Sequence, residues 1–371
     1  MTRIAGLHTL PLRADLPRPW GPDVPYHHVI ACTLVLDDGR TGTGFSWTPS
    51  IGAAAVAALL DHDVAAFVKG LPPHPEVVWD HLWRHLREAG GGGVTTMAMA
   101  AVDIALWDLR ASAGGLGLAD AIGRRRDTVP VYASGVNRHY PLHELVEQAR
   151  RWIGYPAVKI KVGRDDDVER VAAVREVLGP GTLLMVDANQ RWDLFRARAM
   201  IRELEPFGLT WVEEPLPADD LDGLRRLRAS VDVPIAAGES LYTIHDFRRL
   251  LDAVDVVQPN VVRVGGITPL LRIAELARIQ GVPTFPHLLP DLSAQLALAL
   301  PLPCMVEDVE DASLAALGLL DGPPPVELGP GGARVGAHLG HGLRFASLRQ
   351  IPRASHSRPP AVRVSLPLEG R

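Results

Sequence analysis

From about residue 129 onward, short apolar runs alternate with segments of helical length. The runs are VPVYASG, AVKIKV, LLMVDAN, LTWVEEP, PIAAGES, DVVQPN, PTFPH and PCMVED. Each run after the first delivers residues able to do chemistry: Lys159 and Lys161, Asp187, Glu213, Glu239, Asn260, His287 and Glu307. The steps from Lys161 to Asp187, Glu213 and Glu239 are each 26 residues. A strand–helix repeat of that length is the rhythm of a β/α barrel, in which every strand delivers its C-terminal residue to one mouth. The chain is therefore expected to be an α/β protein whose barrel gathers these side chains at one end.

The preceding text keeps a different rhythm. IAGLHTLPL, HHVIACTLVLDD and TGTGFSW read as strands, with turn chemistry in DDGRTG. Three helical segments follow: SIGAAAVAALLDHDVAAFVKG, HPEVVWDHLWRHLREAGGGG and TTMAMAAVDIALWDLRASAGG. A small antiparallel sheet followed by helices is an α+β unit. The expected division is an α+β domain over residues 1–125 and a barrel over 126–327. A segment over 328–371 should return to the first domain. DGPPPVELGPGGARVG leads out of the barrel, and HLGHGLRFASL is placed to pack back on the first domain. About the last 20 residues, proline- and arginine-rich, are expected to be disordered or loosely docked.

Bulk properties narrow the class without deciding it. The chain has 371 residues, 47% hydrophobic and 22% charged, which is ordinary for a globular protein. A formal net charge of -5 argues against a nucleic-acid partner, which would favour a basic face. The N-terminal text is broken by prolines and does not read as a signal peptide. The longest apolar stretches carry prolines or charges, so no membrane span is expected. Two cysteines, Cys32 and Cys304, cannot form a disulfide framework and read as buried thiols of a reducing compartment. The cytoplasm is the expected location.

Three carboxylates at matched strand ends repel one another unless a cation joins them. Asp187, Glu213 and Glu239 therefore suggest a hard divalent ion, Mg²⁺, which takes oxygen ligands and leaves positions for substrate. In VKIKVG the lysines alternate with apolar residues, so Lys159 and Lys161 share one strand face. Buried ammonium groups tend toward depressed pKa values, which suits a general base. His287, across the mouth, would supply a second acid or base. Glu307, if protonated, could donate a hydrogen bond to a substrate carboxylate.

Taken together, VKIKVG, MVDANQRW, WVEEPLP, AAGES, QPNVVRVGGIT, FPHLLPDLSAQLA and DIALWDL resemble the mandelate racemase branch of the enolase superfamily, whose muconate lactonizing enzymes are close kin. The resemblance spans about residues 1–347. It implies a capping domain over a modified (β/α)7β barrel. It implies Mg²⁺ on Asp187, Glu213 and Glu239, with Glu213 preferred to Glu214. It implies proton abstraction α to a carboxylate, with Lys161 as base and Lys159 neutralising the carboxylate. Asn189 would contact the metal-bound end of the substrate. His287 would be the opposite acid or base, and Glu307 a carboxylate partner. One departure stands out: the family pairs its histidine with an aspartate, and here that position is Asn260. An asparagine can accept a hydrogen bond from the ring Nδ1–H, but it brings no charge.

QPNVVRVGGIT followed by PLLRIAELA is similar to the family's sugar-acid dehydratases, such as the L-talarate/galactarate group. Dehydration to a 2-keto-3-deoxy acid is favoured over racemisation or epimerisation. A Schiff-base aldolase and a non-catalytic binding protein are the remote alternatives. Trp20, Tyr26, His28 and Trp47 are the candidates for facing the substrate, from RPWGPDVPYHH and FSWTPS. Homo-oligomerisation is implied by the resemblance.

Overall fold

The computed structural model describes residues 2–21 and 24–346. The tail for which disorder or loose docking is expected lies outside the described residues. The chain opens with an antiparallel sheet of β1 (Ile4–Asp15), β2 (Tyr26–Leu36) and β3 (Thr41–Pro49). Helix Val94–Ala113 lies against β3 with nearly every residue buried. A helix that is apolar all round is one enclosed on all sides. On its other side, Trp107 Nε1 donates to Thr268 Oγ1 of a barrel helix at 2.9 Å. The close approach to β3 needs Gly44, where a Cβ would stand 2.0 Å from the Ala101 carbonyl oxygen.

The second sheet is parallel, with β4 (Val131–Ser134), β5 (Ala157–Lys161), β6 (Leu183–Asp187), β7 (Leu209–Glu213), β8 (Ile235–Ala237), β9 (Val256–Val257) and β10 (Val306–Val309). Its order is β10-β4-β5-β6-β7-β8-β9, so the last strand pairs with the first and the sheet curls. The run PTFPH, expected as the seventh barrel strand, forms a single bridge, Thr284 to Val257. Pro283 and Pro286 have no N–H to give the ladder. The N–H groups of Phe285 and His287 still bond to Val257 and Pro259 at 2.9 and 3.1 Å, which holds the segment at the seventh position.

Inside the curl, Tyr132, Ala157, Met185, Trp211, Ala236 and Val256 form one apolar layer, with Phe285 and Met305 against it. Two residues further along the corresponding segments stand Ser134, Lys159, Asp187, Glu213, Gln258, His287 and Glu307. Period two carries the inward direction from the apolar layer to this polar one. The polar layer is thus stacked on a dry floor at the C-terminal end of the sheet.

The segment after the barrel returns to the first sheet. Leu118 N–H donates to the Gly340 carbonyl at 2.7 Å, and His341 Nε2 lies 2.6 Å from the Thr43 carbonyl. Among the described residues no helix is long and apolar enough to cross a membrane.

Candidate active site

Asp187, Glu213 and Glu239 come together at the mouth, each offering an oxygen within 4.8 Å of the others. Glu239 does not follow from alternation alone. Ala236 faces in and Ala237 faces out, so strict period two would turn Glu239 outward. Gly238, at φ +134°, resets the count. A Cβ on it would point outward, 2.9 Å from Phe247 of the flanking helix, and Glu239 is thereby turned in.

The lysines are held by these acids. Lys159 Nζ stands 2.6 Å from Glu213 Oε1 and 2.8 Å from Glu307 Oε1, fully buried. Lys161 Nζ bonds to Asp187 Oδ2. Depressed lysine pKa values are expected from the sequence; the arrangement gives the reverse. Burial opposes the charge of Lys159, but Glu213, Glu307 and Asp187 outweigh it and hold the group well above its ordinary range. Burial likewise opposes Lys161, and Asp187 outweighs it.

Glu307 is corrected in the same way. Burial favours its neutral form, but the Lys159 ammonium outweighs burial and holds it below the ordinary value. It accepts from Leu288 N–H at 3.2 Å, the role of an ionised carboxylate. Glu213 goes the other way: burial pushes it well up, Lys159 opposes, and Asp187, Glu307 and Glu239 add to the rise. Gln258 Nε2 donates to Glu213 Oε2 at 2.6 Å. Gln258 is missing from the sequence reading, although it lies two residues before Asn260 on the same face.

Four carboxylates, Asp187, Glu213, Glu239 and Glu307, therefore face two lysines. With every carboxylate ionised the cage is short of two positive charges; burial pushes Glu213 toward its neutral form, and the neighbouring carboxylates add to the push. Glu239 Oε2 lies 2.9 Å from His287 Nε2. An all-oxygen donor set, short by two charges, fits a hard divalent cation. Glu214 is also buried, pushed up to about 8 by burial, and takes a hydrogen bond from Gln190 Nε2 at 3.0 Å. Asn189 sits beside the triad, its N–H donating to Asp187 Oδ1 at 2.8 Å.

Asn260 differs from expectation in direction. Its Oδ1 accepts from the N–H groups of Val262 and Arg263 at 3.0 and 3.1 Å, which pins the amide. Its Nδ2 therefore faces His287 Nδ1, at 3.3 Å. The amide donates to the ring, and the ring proton belongs on Nε2, toward Glu239.

A cavity of about 190 Å³ opens over these groups, lined by Lys161, Asn189, Glu239, Arg263, His287 and Glu307. Trp20 and Trp47 form its wall on the side of the first sheet. Tyr26 and His28 do not line it. The register pairs Val29 with Trp47, so residues 27 and 29 share the face of Trp47 while Tyr26 and His28 take the other. Arg13 caps the Tyr26 ring there at 3.9 Å. His27 takes the inner place, edge-on to Trp20 and Trp47 with centroids 4.3 and 5.2 Å away. Burial lowers His27 to about 4, and nearby His28 adds to the effect, so it packs as a neutral ring.

Both halves of the chain match family models. Residues 26–123 match the mandelate racemase / muconate lactonizing enzyme N-terminal domain, and residues 142–347 match the enolase C-terminal domain-like model. The chain belongs to the mandelate racemase/muconate lactonizing enzyme family of the enolase superfamily. Among individual relatives, it is 39% identical over 281 residues to 3,6-anhydro-alpha-L-galactonate cycloisomerase of Streptomyces coelicolor, covering 74% of this chain and 78% of that one. It is 38% identical over 292 residues to L-talarate/galactarate dehydratase of Salmonella typhimurium, covering 76% and 73%. The L-talarate dehydratase of a Polaromonas species, solved with Mg and L-glucarate, superposes with a TM-score of 0.84 at 35% identity, covering 94% and 96%.

Proposed function

We propose that this protein is a Mg²⁺-dependent acid-sugar dehydratase, which removes the proton α to a carboxylate and then expels a β-hydroxyl to leave a 2-keto-3-deoxy acid. The observation that carries the reading is the cage short of two positive charges, placed under a cavity that Lys161 and His287 both line. Relatives named as dehydratases and cycloisomerases of sugar acids support the substrate class.

The residues divide the work. Asp187, Glu213 and Glu239 would hold Mg²⁺, which supplies charge stabilisation when the α-proton leaves. Lys161 would be the base; with Asp187 engaged as a metal ligand, the lysine would lose the partner that otherwise keeps it protonated. Lys159 stays buried and cationic, balancing Glu213 and Glu307. His287 carries its proton on Nε2, on the cavity side, and would pass it to the departing hydroxyl, which leaves as water; exchange with solvent then restores the ring proton and removes the one taken by Lys161. Asn189 contacts the carboxylate end of the substrate. Trp20 and Trp47 shield the cavity from water.

The tautomer of His287 weighs against racemisation, because a second base needs the Nε2 lone pair. The acid triad weighs against a Schiff-base aldolase, which has no need of three metal-binding carboxylates. We also place the protein in the cytoplasm as a homo-oligomer. Cys32 and Cys304 are buried and unpaired, and exposed Ile51 and Phe195 offer apolar surface for assembly.

The test is a screen of aldonic, aldaric and uronic acids with Mg²⁺, read with semicarbazide for 2-keto acids and by polarimetry in parallel. A 2-keto-3-deoxy product that disappears with EDTA is expected. Rotation change without a keto acid would replace dehydration by epimerisation. Turnover that survives removal of the metal would overturn the mechanism.

A further inference from the structure

The basic side chains near the cavity are not equivalent. Lys161 is paired with Asp187, and His287 faces Glu239. Arg263 lines the same cavity, half-buried, yet its guanidinium has no hydrogen bond or ion pair among the described residues. Its nearest aromatic face, Tyr242, is 6.0 Å from the guanidinium carbon, at the edge of cation–π range. The backbone of Arg263 is fixed, since its N–H bonds to the pinned Oδ1 of Asn260. A guanidinium partly withdrawn from water and left unpaired at a cavity wall is a receptor for an anion, and its planar fork matches a carboxylate.

A neighbouring pocket offers a contrast. It has a volume of about 280 Å³ and shares Trp20 and Val136 with the first, so an elongated substrate could in principle extend there. Its two arginines are already neutralised: Arg18 by Glu144, and Arg151 by Glu310 at 2.8 Å. Asp311 and Glu310 also line it. That wall repels a second carboxylate, whereas Arg263 attracts one.

We propose that Arg263 recognises a second, distal carboxylate, so that the preferred substrates are aldaric acids rather than aldonic acids. The inference rests on the acid-sugar reading above. One carboxylate is taken by the metal end of the cavity beside Asn189. The other pairs with Arg263, and the hydroxylated carbons between them pass the walls of Trp20 and Trp47.

The experiment compares a hexaric acid with the hexonic acid of the same configuration, for the wild type, Arg263→Met and Arg263→Lys. Two readouts are taken: the ratio of kcat/KM values, and the ratio of dissociation constants by calorimetry for the Mg²⁺-loaded protein in a Lys161→Ala background, which lacks the base and does not turn the acids over. Wild type should favour the diacid. In Arg263→Met that preference should fall about 100-fold, as for loss of one partner of a desolvated charge pair. Most of the loss should lie in KM, and Arg263→Lys should recover part of it. A wild type that prefers the monoacid, or a preference unchanged in Arg263→Met, overturns the proposal. The calorimetric arm reads the preference without turnover, so failure of the dehydratase reading is distinguishable from failure of this one.

Discussion

Asn260 presents its amide nitrogen, not its oxygen, to Nδ1 of His287, at 3.3 Å. Two backbone N–H groups occupy the oxygen, so the amide cannot turn over without setting donor against donor. An aspartate at this place would ask for a proton on Nδ1 and leave Nε2 with its lone pair. The asparagine asks for the opposite, and the ring presents Nε2–H to the cavity. A neutral histidine donating a hydrogen bond is a known catalytic arrangement for polarising oxygen.

Asn260→Asp should therefore give His287 the tautomer of a base. In the wild type, solvent deuterium should enter the substrate α-carbon from the Lys161 face alone. The variant should gain exchange on the opposite face, by about 10-fold or more, given the usual weight of a general base. Chiral analysis of the recovered deuterated substrate checks this. The same facial distribution in both proteins would mean that the amide does not set the role of the ring.

Lys159 is fully buried between Glu213 and Glu307. Removing one partner of a buried ion pair costs about 3–5 kcal/mol, because the charge left behind has no water. Lys159→Met should lower Tm strongly in EDTA. Mg²⁺ should narrow the gap to the wild type, since a cation on Glu213 replaces part of the lost charge. Thermal melts with and without Mg²⁺ measure both effects. An equal gap in the two conditions would separate Lys159 from the metal cage.

The barrel and its metal ligands were legible because two signals coincide. Strand ends recur every 26 residues, and period two turns Lys159, Asp187 and Glu213 inward from the apolar layer below. Glu239 satisfies the spacing but breaks the alternation, and only the left-handed Gly238 reconciles them. The hydrogen-bond direction at Asn260 depends on two backbone N–H groups in a turn, which no pattern of side chains encodes. The lysine pKa direction depends on how many carboxylates end within reach, a property of the assembled mouth. On β2, the residue types of Tyr26 and His28 suit a substrate wall, but their parity sends them away from it.

That parity is open to test. Trp47→Ala removes a wall of the cavity and should raise KM about 10-fold or more, since a buried aromatic is worth well over 1 kcal/mol in contact. Tyr26→Ala removes a ring that stacks under Arg13 on the far face, and KM should stay within about 2-fold of the wild type. Steady-state kinetics on the best acid from the screen decide the matter. Matching effects from the two substitutions would contradict the register of β2 and β3.

The contact between cap and barrel carries its own pH dependence. Asp103, from the long cap helix, accepts from Thr268 N–H and Oγ1–H at 2.8 and 2.6 Å, at the start of a barrel helix. Burial pushes its carboxyl up to about 7 from 3.8, against the opposing effect of these hydrogen bonds. A folded value above the unfolded one means that the protonated form is the one folding favours. The stability linked to Asp103 is therefore fully present below about pH 4 and is lost as pH rises through about 7. At 1.36 kcal/mol per unit the effect is on the order of 4 kcal/mol at most. Asp103→Asn keeps an acceptor for Thr268 and has nothing to ionise, so this part of the dependence should vanish. Urea unfolding at about pH 5 and about pH 8 supplies the comparison, read as the variant's change subtracted from that of the wild type. The subtraction removes the contributions of Asp291 and the other buried carboxyls common to both proteins. A wild type that loses no more stability than Asp103→Asn over this interval would show that Asp103 is ionised in the fold throughout, held there by Thr268 and the helix N-terminus.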